Sequence, residues 1–334
     1  MKEQDIRSRE ALNNYLRLVE KDCAVYFKKE EHFVVASCCI CESELYVSQF
    51  SKNGFNYVTC QECRTLYVRN RPSFEKLKEF YARSESSTYW TNYFFKPVLE
   101  ARRTKIFQPR VESIIEHFGG KQNWTVGDVG AGFGIFLEEL RKYWKESRFI
   151  AIEPSLEQAE ICRGLGVDVE CSFVEELKEY DGKFDLLTAF ELFEQLNEPA
   201  RFVEKIYELL KPGGYFLMTT LNGEGFDIQL LWENSKSVTP PHHLNFINPQ
   251  SLLKLLSSVG FILEDCTTPG KLDWDIVEGM ITKEKKKVGR FWEMFASQGT
   301  VEAKQELQDW IPKHNMSSHI KVLARKPEKI GGQN

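Results

Sequence analysis

Long apolar runs are missing from this chain: no stretch approaches the ~18 to 20 residues that a bilayer-spanning helix needs. The N-terminus, MKEQDIRSREALNNYLRLVEK, has no apolar core of the kind a secretion signal requires, although Leu12, Leu16 and Val19 fall at helical spacing. A cytosolic protein without a membrane span is therefore expected. Internal repeats and low-complexity tracts are also lacking, which argues against solenoids and linker-dominated chains. Neither sign of charge dominates: the net charge is −5, divided into +5 over residues 1–110 and −10 over the remainder. That asymmetry permits a phosphate-bearing ligand near the N-terminal part but falls short of the basic face of a dedicated nucleic-acid binder.

What is present suits a large core. With 334 residues, 42% hydrophobic and 28% charged, the chain has room for one large domain and a smaller appendage. Residues 1–31 read as an N-terminal helix. Residues 32–72, with runs such as LYVSQF and FNYVTC around the turn SKNG, read as a small β module. Residues 73–118 are helical and aromatic-rich, a linker or lid. From 119 to 330, WTVGDVG, RFIAIEP, VDVECSF, FDLLTAFE, GGYFLMTTL and FILEDCTT alternate with amphipathic stretches, and HIKVLARKP follows a charged helical insertion at about 272–315. This βαβα order predicts an α/β fold, a mostly parallel sheet with helices on both faces. The tail KIGGQN is expected to fray.

Nine cysteines in an intracellular chain point to metal or catalysis before disulfides. Cys38-x-x-Cys41 and Cys60-x-x-Cys63 have the spacing of two rubredoxin-like knuckles around one tetrahedral zinc. Four thiolates leave no open position, so the site should be structural. Cys39 is a spare neighbour, and Cys23, Cys162, Cys171 and Cys266 are expected in the core.

The stretch VGDVGAGFGIFLEEL, residues 126–140, places Gly130, Gly132 and Gly134 between an apolar run and a helical pattern. Strand, glycine turn and helix form the arrangement by which an open α/β sheet meets a nucleotide-like ligand. The G-x-G-x-G spacing differs from the dinucleotide fingerprint. Asp128, two residues ahead of Gly130, would be unfavourable beside a pyrophosphate and suits an amino-bearing ligand. Glu153, at the end of the next strand, is placed to accept hydrogen bonds from ribose hydroxyls.

DVGAGFG, AIEPS, FDLLTAFELFEQLNEP and LLKPGGYFLMTT, in this order and spacing, resemble the class I S-adenosylmethionine-dependent methyltransferases over about residues 105–325. The resemblance implies a Rossmann-like seven-stranded sheet with its last strand antiparallel. It places the methionine portion of the cofactor over Gly130, Ala131, Gly132 and Gly134, with Asp128 near the amino group. Glu153 and Pro154 would be at the ribose, and Ala189, Phe190 and Glu191 beneath the sulfonium. Relatives place a helical lid over the cofactor, which makes Tyr89, Trp90 and Arg103 candidate contacts. Gln195 stands where relatives resemble E-V-L-E-H and carry histidine; Glu191 and Glu194 also admit a reading as helix N-terminal carboxylates.

Relatives also resemble one another in an H-L-x-F stretch near the active-site mouth, matched here by His243 in TPPHHLNF. His243 is the first candidate for general base or substrate contact and His242 the second, the competing reading being a histidine that caps the helix near Pro249. Asn222 would orient substrate or form a turn. The basic run KEKKKVGR, residues 283–290, reads as a solvated helix end.

A zinc ribbon ahead of this core resembles a bacterial group that methylates in polysaccharide, lipid or secondary-metabolite assembly. The expected reaction is methyl transfer to oxygen, less so to carbon, of a small-molecule or carbohydrate acceptor, leaving S-adenosylhomocysteine. The chain ends after its last strand, without the further domain of zinc-bearing sugar C-methyltransferases, which favours oxygen. The alternatives are a ribosomal or transfer RNA methyltransferase, disfavoured by the acidic core and the lack of an N-P-P-Y-like stretch, and a non-catalytic cofactor-binding subunit.

Overall fold

The computed structural model describes residues 2–328, so the KIGGQN tail lies outside the described residues. Its strands are β1 (Phe33–Val35), β2 (Tyr46–Lys52), β3 (Phe55–Cys60), β4 (Leu66–Val68), β5 (Asn70–Pro72), β6 (Thr125–Val129), β7 (Arg148–Ile152), β8 (Asp168–Glu170), β9 (Phe184–Phe190), β10 (Leu210–Leu221), β11 (Asn245–Phe246), β12 (Ile262–Thr267) and β13 (His319–Arg325). Two compact units divide the chain. One comprises Met1–Val98, Thr220–Ser251 and Thr267–Ile320; the other comprises Leu99–Thr219, Leu252–Cys266 and Lys321–Asn334.

The second unit carries most of a seven-stranded sheet in the order β12-β13-β10-β9-β6-β7-β8, the Rossmann-like α/β architecture expected. Strand β10 pairs with β9, β9 with β6, β6 with β7 and β7 with β8, all in parallel. Strands buried on both faces read as continuous apolar runs, and TVGDV, RFIAI and FDLLTAF are accordingly almost wholly buried. Helix Gln108–Phe118 contributes Val111 and Ile114, and helix Ile135–Arg141 contributes Phe136, Leu137 and Leu140, to a core shared with Trp144, Phe149 and Leu186. The chain runs outward from β6 to β7 and β8, then crosses to β9 on the other flank of β6. That reversal is where such a sheet opens a crevice at its carboxyl ends. Register pairs Val129 with Ala189, so the glycine turn and the Phe190–Glu191 segment leave the sheet side by side.

The first unit holds a four-stranded sheet ordered β11-β4-β3-β2 and the small β1-β5 pair. Helix Arg9–Tyr26 starts at Ser8, whose hydroxyl accepts from the Ala11 amide, and buries Leu12, Tyr15 and Val19 against Phe55, Tyr57, Phe80 and Phe246. Residues 273–313 form three helices, Asp273–Thr282, Arg290–Gln298 and Val301–Lys313.

Several local expectations are corrected. VDVECSF contributes only Asp168–Glu170 to the sheet, and β10 begins at Leu210, with a register shift before Tyr215. Cys23 and Cys162 are buried, but Cys171 and Cys266 are only half-buried. No long helix follows Glu191: a three-residue 3-10 turn, Phe193–Gln195, stands there, and the next helix starts at Pro199. The helix-dipole reading of Glu191 and Glu194 therefore has no helix to act on. Among the described residues no helix is long and apolar enough to cross a membrane.

Candidate cofactor and metal sites

Gly130, Gly132 and Gly134 have φ of +69°, +57° and +68°, a left-handed backbone that side-chain-bearing residues rarely adopt. Gly134 is also crowded, since a Cβ there would meet Cys162 Sγ and Leu165 Cδ1 at 3.0 Å. At Gly132 the nearest atom to a Cβ is 3.9 Å away, so its left-handed turn leaves open backbone. The loop is tied down by Gly130 N–H to the Ile152 carbonyl at 2.8 Å and by Gly132 N–H to Glu153 Oε2 at 2.9 Å.

Around that loop the second unit gathers three charged side chains. Glu153, buried, also accepts from the Ser155 amide at 2.9 Å, so two backbone donors fix its carboxylate while each oxygen keeps a second lone pair. Burial raises its pKa, against the pull of those two donors. Asp128, also buried, accepts from Thr188 Oγ1 at 2.6 Å. Burial pushes its pKa up to about 7, opposed by the Thr188 hydroxyl and the Arg110 guanidinium. Arg110 lies over the Phe190 ring, Cζ 4.2 Å from the centroid, and reaches Glu191 Oε1 and Thr219 Oγ1 at 3.5 Å each. Burial lowers the pKa of this guanidinium, against the attraction of Glu191 and Asp128.

Glu191, with φ +54°, is a charged residue held in a left-handed turn by its amide on the Thr219 carbonyl, Gln195 Nε2 on its own carbonyl, and Thr219 Oγ1 on its carboxylate. Gln195 thus serves to lock this turn. Ala189 is buried at the end of β9, Ala131 is half-buried and Pro154 exposed.

Sequence reasoning missed Arg110. The signal was faint: Arg110 flanks the buried stripe of Val111 and Ile114, where a charge needs a partner. Arg103, the arginine expected near the cofactor, is instead held by Glu138 at 2.7 Å, Glu139 at 2.5 Å and Glu100 at 3.2 Å. Tyr89 stacks on Tyr93 at 5.4 Å, and Trp90 stacks on Phe94 at 4.3 Å and lies 4.9 Å from Tyr15. Both belong to the packing around the core of the first unit.

In the first unit the Sγ atoms of Cys38, Cys41, Cys60 and Cys63 all lie within 4.8 Å of one another, and Cys39 is outside the group. Cys38 faces Cys63 at 3.4 Å and Cys41 faces Cys60 at 3.5 Å. A tetrahedron of about 2.3 Å metal–sulfur bonds has edges of about 3.8 Å, so these thiols fit one ion. Two matching turns present them. Glu42 N–H bonds the Cys38 carbonyl at 2.9 Å and Arg64 N–H the Cys60 carbonyl at 3.0 Å, with Glu42 and Arg64 both left-handed at φ +60° and +62°.

The histidine segment rests on this module. Tyr57 OH donates to the His243 carbonyl at 2.7 Å, Val68 N–H to the Leu244 carbonyl at 2.9 Å, and Asn248 Nδ2 to the Cys63 carbonyl at 2.9 Å. His243 Nδ1 lies 2.6 Å from the Ser237 carbonyl, an acceptor only, so the hydrogen is on Nδ1 and the lone pair of the neutral ring is on Nε2. His242 is corrected as a base candidate. It is buried among Tyr15, Phe80 and Tyr81, with ring centroids 5.2 to 5.6 Å away, and burial pushes its pKa down to about 3. Neither histidine caps the helix Pro249–Val259: Asn248 and Ser251 exchange side-chain-to-amide bonds there at 2.8 and 3.1 Å. Asn222 forms a turn, its amide on the Ser317 carbonyl at 2.8 Å and its Oδ1 accepting from Glu224 N–H at 3.1 Å.

Comparison with known proteins gives a family model described as a methyltransferase domain, matching residues 99–265. A ubiquinone biosynthesis O-methyltransferase of Xanthomonas euvesicatoria pv. vesicatoria is 29% identical over 149 residues, 41% of this chain and 62% of that protein. The protein of the same name from Alkalilimnicola ehrlichii is 30% identical over 118 residues, 34% of this chain and 48% of its own length. The chain thus spans about six-tenths or less of the length of these curated relatives. Among solved structures, geranyl diphosphate methyltransferase in complex with SAM is 13% identical, with a TM-score of 0.48 over 70% of this chain and 90% of that one. The family match spans half of the sequence and contains the glycine loop, Glu153, Arg110 and the Phe190–Glu191 turn, and the chain belongs to the methyltransferase-domain family.

Proposed function

We propose that the chain is an S-adenosylmethionine-dependent methyltransferase acting on an oxygen of a small-molecule acceptor, with a structural zinc ion in the N-terminal cysteine cluster. One observation carries the reading: a buried carboxylate, a half-buried guanidinium and a second, buried and backbone-oriented carboxylate surround an open glycine turn at the switch point of the sheet. S-adenosylmethionine, when bound, supplies a methyl group on a sulfonium. Asp128 would pair with the ammonium, Arg110 with the carboxylate at the methionine end, and Glu153 would accept from the ribose hydroxyls. His243 would take the proton of the acceptor hydroxyl at Nε2. The O-methyltransferase names of the relatives favour small-molecule oxygen over carbohydrate or RNA.

The test follows label from methyl-labelled S-adenosylmethionine into a fractionated extract, with nuclease, protease and glycan-degrading treatments in parallel. Label should enter a nuclease-resistant small-molecule fraction, and His243→Ala should slow transfer by about two orders of magnitude or more. Label removed by ribonuclease would overturn the reading in favour of an RNA enzyme. Binding of S-adenosylhomocysteine without transfer to any fraction would point to a non-catalytic subunit.

The pKa of Asp128 makes binding pH-dependent. Its carboxyl, at about 7, must be ionised to pair with an ammonium, so affinity for S-adenosylhomocysteine should fall as pH drops from about 8 to about 6, approaching tenfold per unit. Asp128→Asn should bind weakly at every pH, with a flat profile; calorimetric titration at several pH values distinguishes the two. In the ligand-free chain the sign reverses. A carboxyl raised by folding contributes stability that is fully present below its unfolded pKa and is lost as pH rises through about 7.

A further inference from the structure

The helices within residues 273–313 lie outside the segment matched by the family model, and the reaction proposed above assigns them nothing. They share an apolar core of Trp274, Val277, Met280, Ala296 and Ile311 with Phe226 and Leu231 of the helix Phe226–Leu231. Helix Arg290–Gln298 turns Trp292 and Phe295 toward that core, their rings 5.9 and 4.9 Å from Trp274. Its other large apolar residues face away: Phe291 is 60% exposed and Met294 is 47% exposed. Three residues apart, they share one helix face. An exposed apolar residue alone signals little. Here the pair adjoins the basic run.

Lys283, Lys285, Lys286, Lys287 and Arg290 are all exposed. The stretch contains two acids, and both are engaged: Glu284 by Lys236, and Glu293 by Lys287 at 3.0 Å. The Lys285 ammonium donates to the Thr282 carbonyl at 2.7 Å. Lys283, Lys286 and Arg290 have no carboxylate partner among the described residues. The unrelieved charge is felt at Lys52, whose pKa is pushed down to about 8 by burial and by Lys286. The residues are therefore a solvated basic run, as read from the sequence, but one joined to an outward apolar pair.

We propose that the stretch from Lys283 to Met294 docks the chain on an anionic lipid surface, its cations among the headgroups and Phe291 and Met294 at the acyl boundary. Charge complementarity selects the partner's sign. The apolar pair selects a bilayer over a nucleic acid, because an aliphatic thioether beside a phenyl ring gains from acyl chains what it cannot gain from phosphates. A net negative protein with one basic, apolar-tipped edge would bind such a surface in one orientation.

The experiment is flotation of the full-length chain with vesicles of phosphatidylcholine alone and with added phosphatidylglycerol, alongside fluorescence anisotropy with a single-stranded RNA. The chain should float only with the anionic vesicles and should be released as salt rises toward about 0.5 M. Phe291→Ser with Met294→Ser should lose about tenfold in vesicle affinity, and glutamine at Lys283, Lys285, Lys286 and Lys287 should reduce it to the phosphatidylcholine level, each cation contributing up to about fivefold. Thermal melting and S-adenosylhomocysteine binding should be unchanged in both variants, which separates docking from folding and from cofactor binding. Equal flotation with both vesicles would overturn the proposal. So would unchanged vesicle binding by the Phe291/Met294 variant, and tight RNA binding lost only with the lysines would replace it by a polyanion site.

Discussion

Serine at both Cys60 and Cys63 should release the metal from the N-terminal module and reduce methyl transfer by about two orders of magnitude, while S-adenosylhomocysteine still binds within about twofold of the unaltered chain. The expectation follows from the proposal that the four cysteines hold a structural zinc ion. The knuckle turns leave Glu42 and Arg64 in left-handed conformations, each costing about 1 kcal/mol or more without glycine. Structural zinc contributes about 10 to 16 kcal/mol in small zinc-dependent folds, comparable with the whole stability of a domain at about 5 to 15 kcal/mol. The Cys60–Cys63 turn joins the paired strands β3 and β4, and β4 pairs directly with Asn245 and Phe246 of β11. Tyr57 OH donates to the His243 carbonyl on one side of β11, and the Cys63 carbonyl accepts from the Asn248 side-chain amide on the other. Loss of the ion should therefore loosen the segment carrying the proposed base before it affects a glycine loop that belongs to the other unit. Elemental analysis, near-ultraviolet circular dichroism and single-turnover transfer read the three consequences separately. A folded, active chain with no bound metal would sink the structural-zinc reading.

The contrast between the cysteines and the histidines explains which parts of the site were legible in sequence. Cys38, Cys41, Cys60 and Cys63 announce themselves because two residues between thiols is what a knuckle turn needs, and that constraint is local. The glycine loop is legible for the same reason: backbone sign is set within a few residues of each glycine. Parallel strands buried on both faces gave unbroken apolar runs, so β6, β7 and β9 stood out where they form, whereas the end of β8 did not, because Cys171 and Ser172 continue the pattern after leaving the sheet. What local patterns cannot carry is the partner of a side chain. His242 and His243 are adjacent and chemically identical, yet one is enclosed by rings from Tyr15, Phe80 and Tyr81 and the other has its tautomer set by Ser237. Asn222 and Arg103 had suitable chemistry but were already engaged, by Ser317 and by three glutamates. Glu191 looked like the start of a helix because nothing in FELFEQL shows that Gln195 folds back onto its carbonyl.

Replacing Arg110 with methionine should weaken S-adenosylhomocysteine about thirtyfold or more and leave 5′-methylthioadenosine, which lacks the amino-acid end, within about twofold. A half-buried guanidinium, largely out of water, is best satisfied by a planar anion that matches its fork of donors. Arg110 reaches Glu191 and Thr219 only at 3.5 Å, longer than the roughly 2.7 to 2.9 Å of a charge-assisted bond. A methionine carboxylate over the glycine turn would supply the closer partner. Because Arg110 also holds the Asp128 pKa down, removing it should raise that carboxyl further and weaken the ammonium contact indirectly. Arg110→Lys separates the two effects: it keeps the charge near Asp128 but loses the two-pronged geometry, so its loss should be intermediate and its pH profile should resemble that of the unaltered chain. Equal weakening of both ligands in the methionine variant would instead assign Arg110 to holding the loop. If neither ligand binds the unaltered chain, the cofactor reading itself fails, an outcome distinct from an error about this one residue.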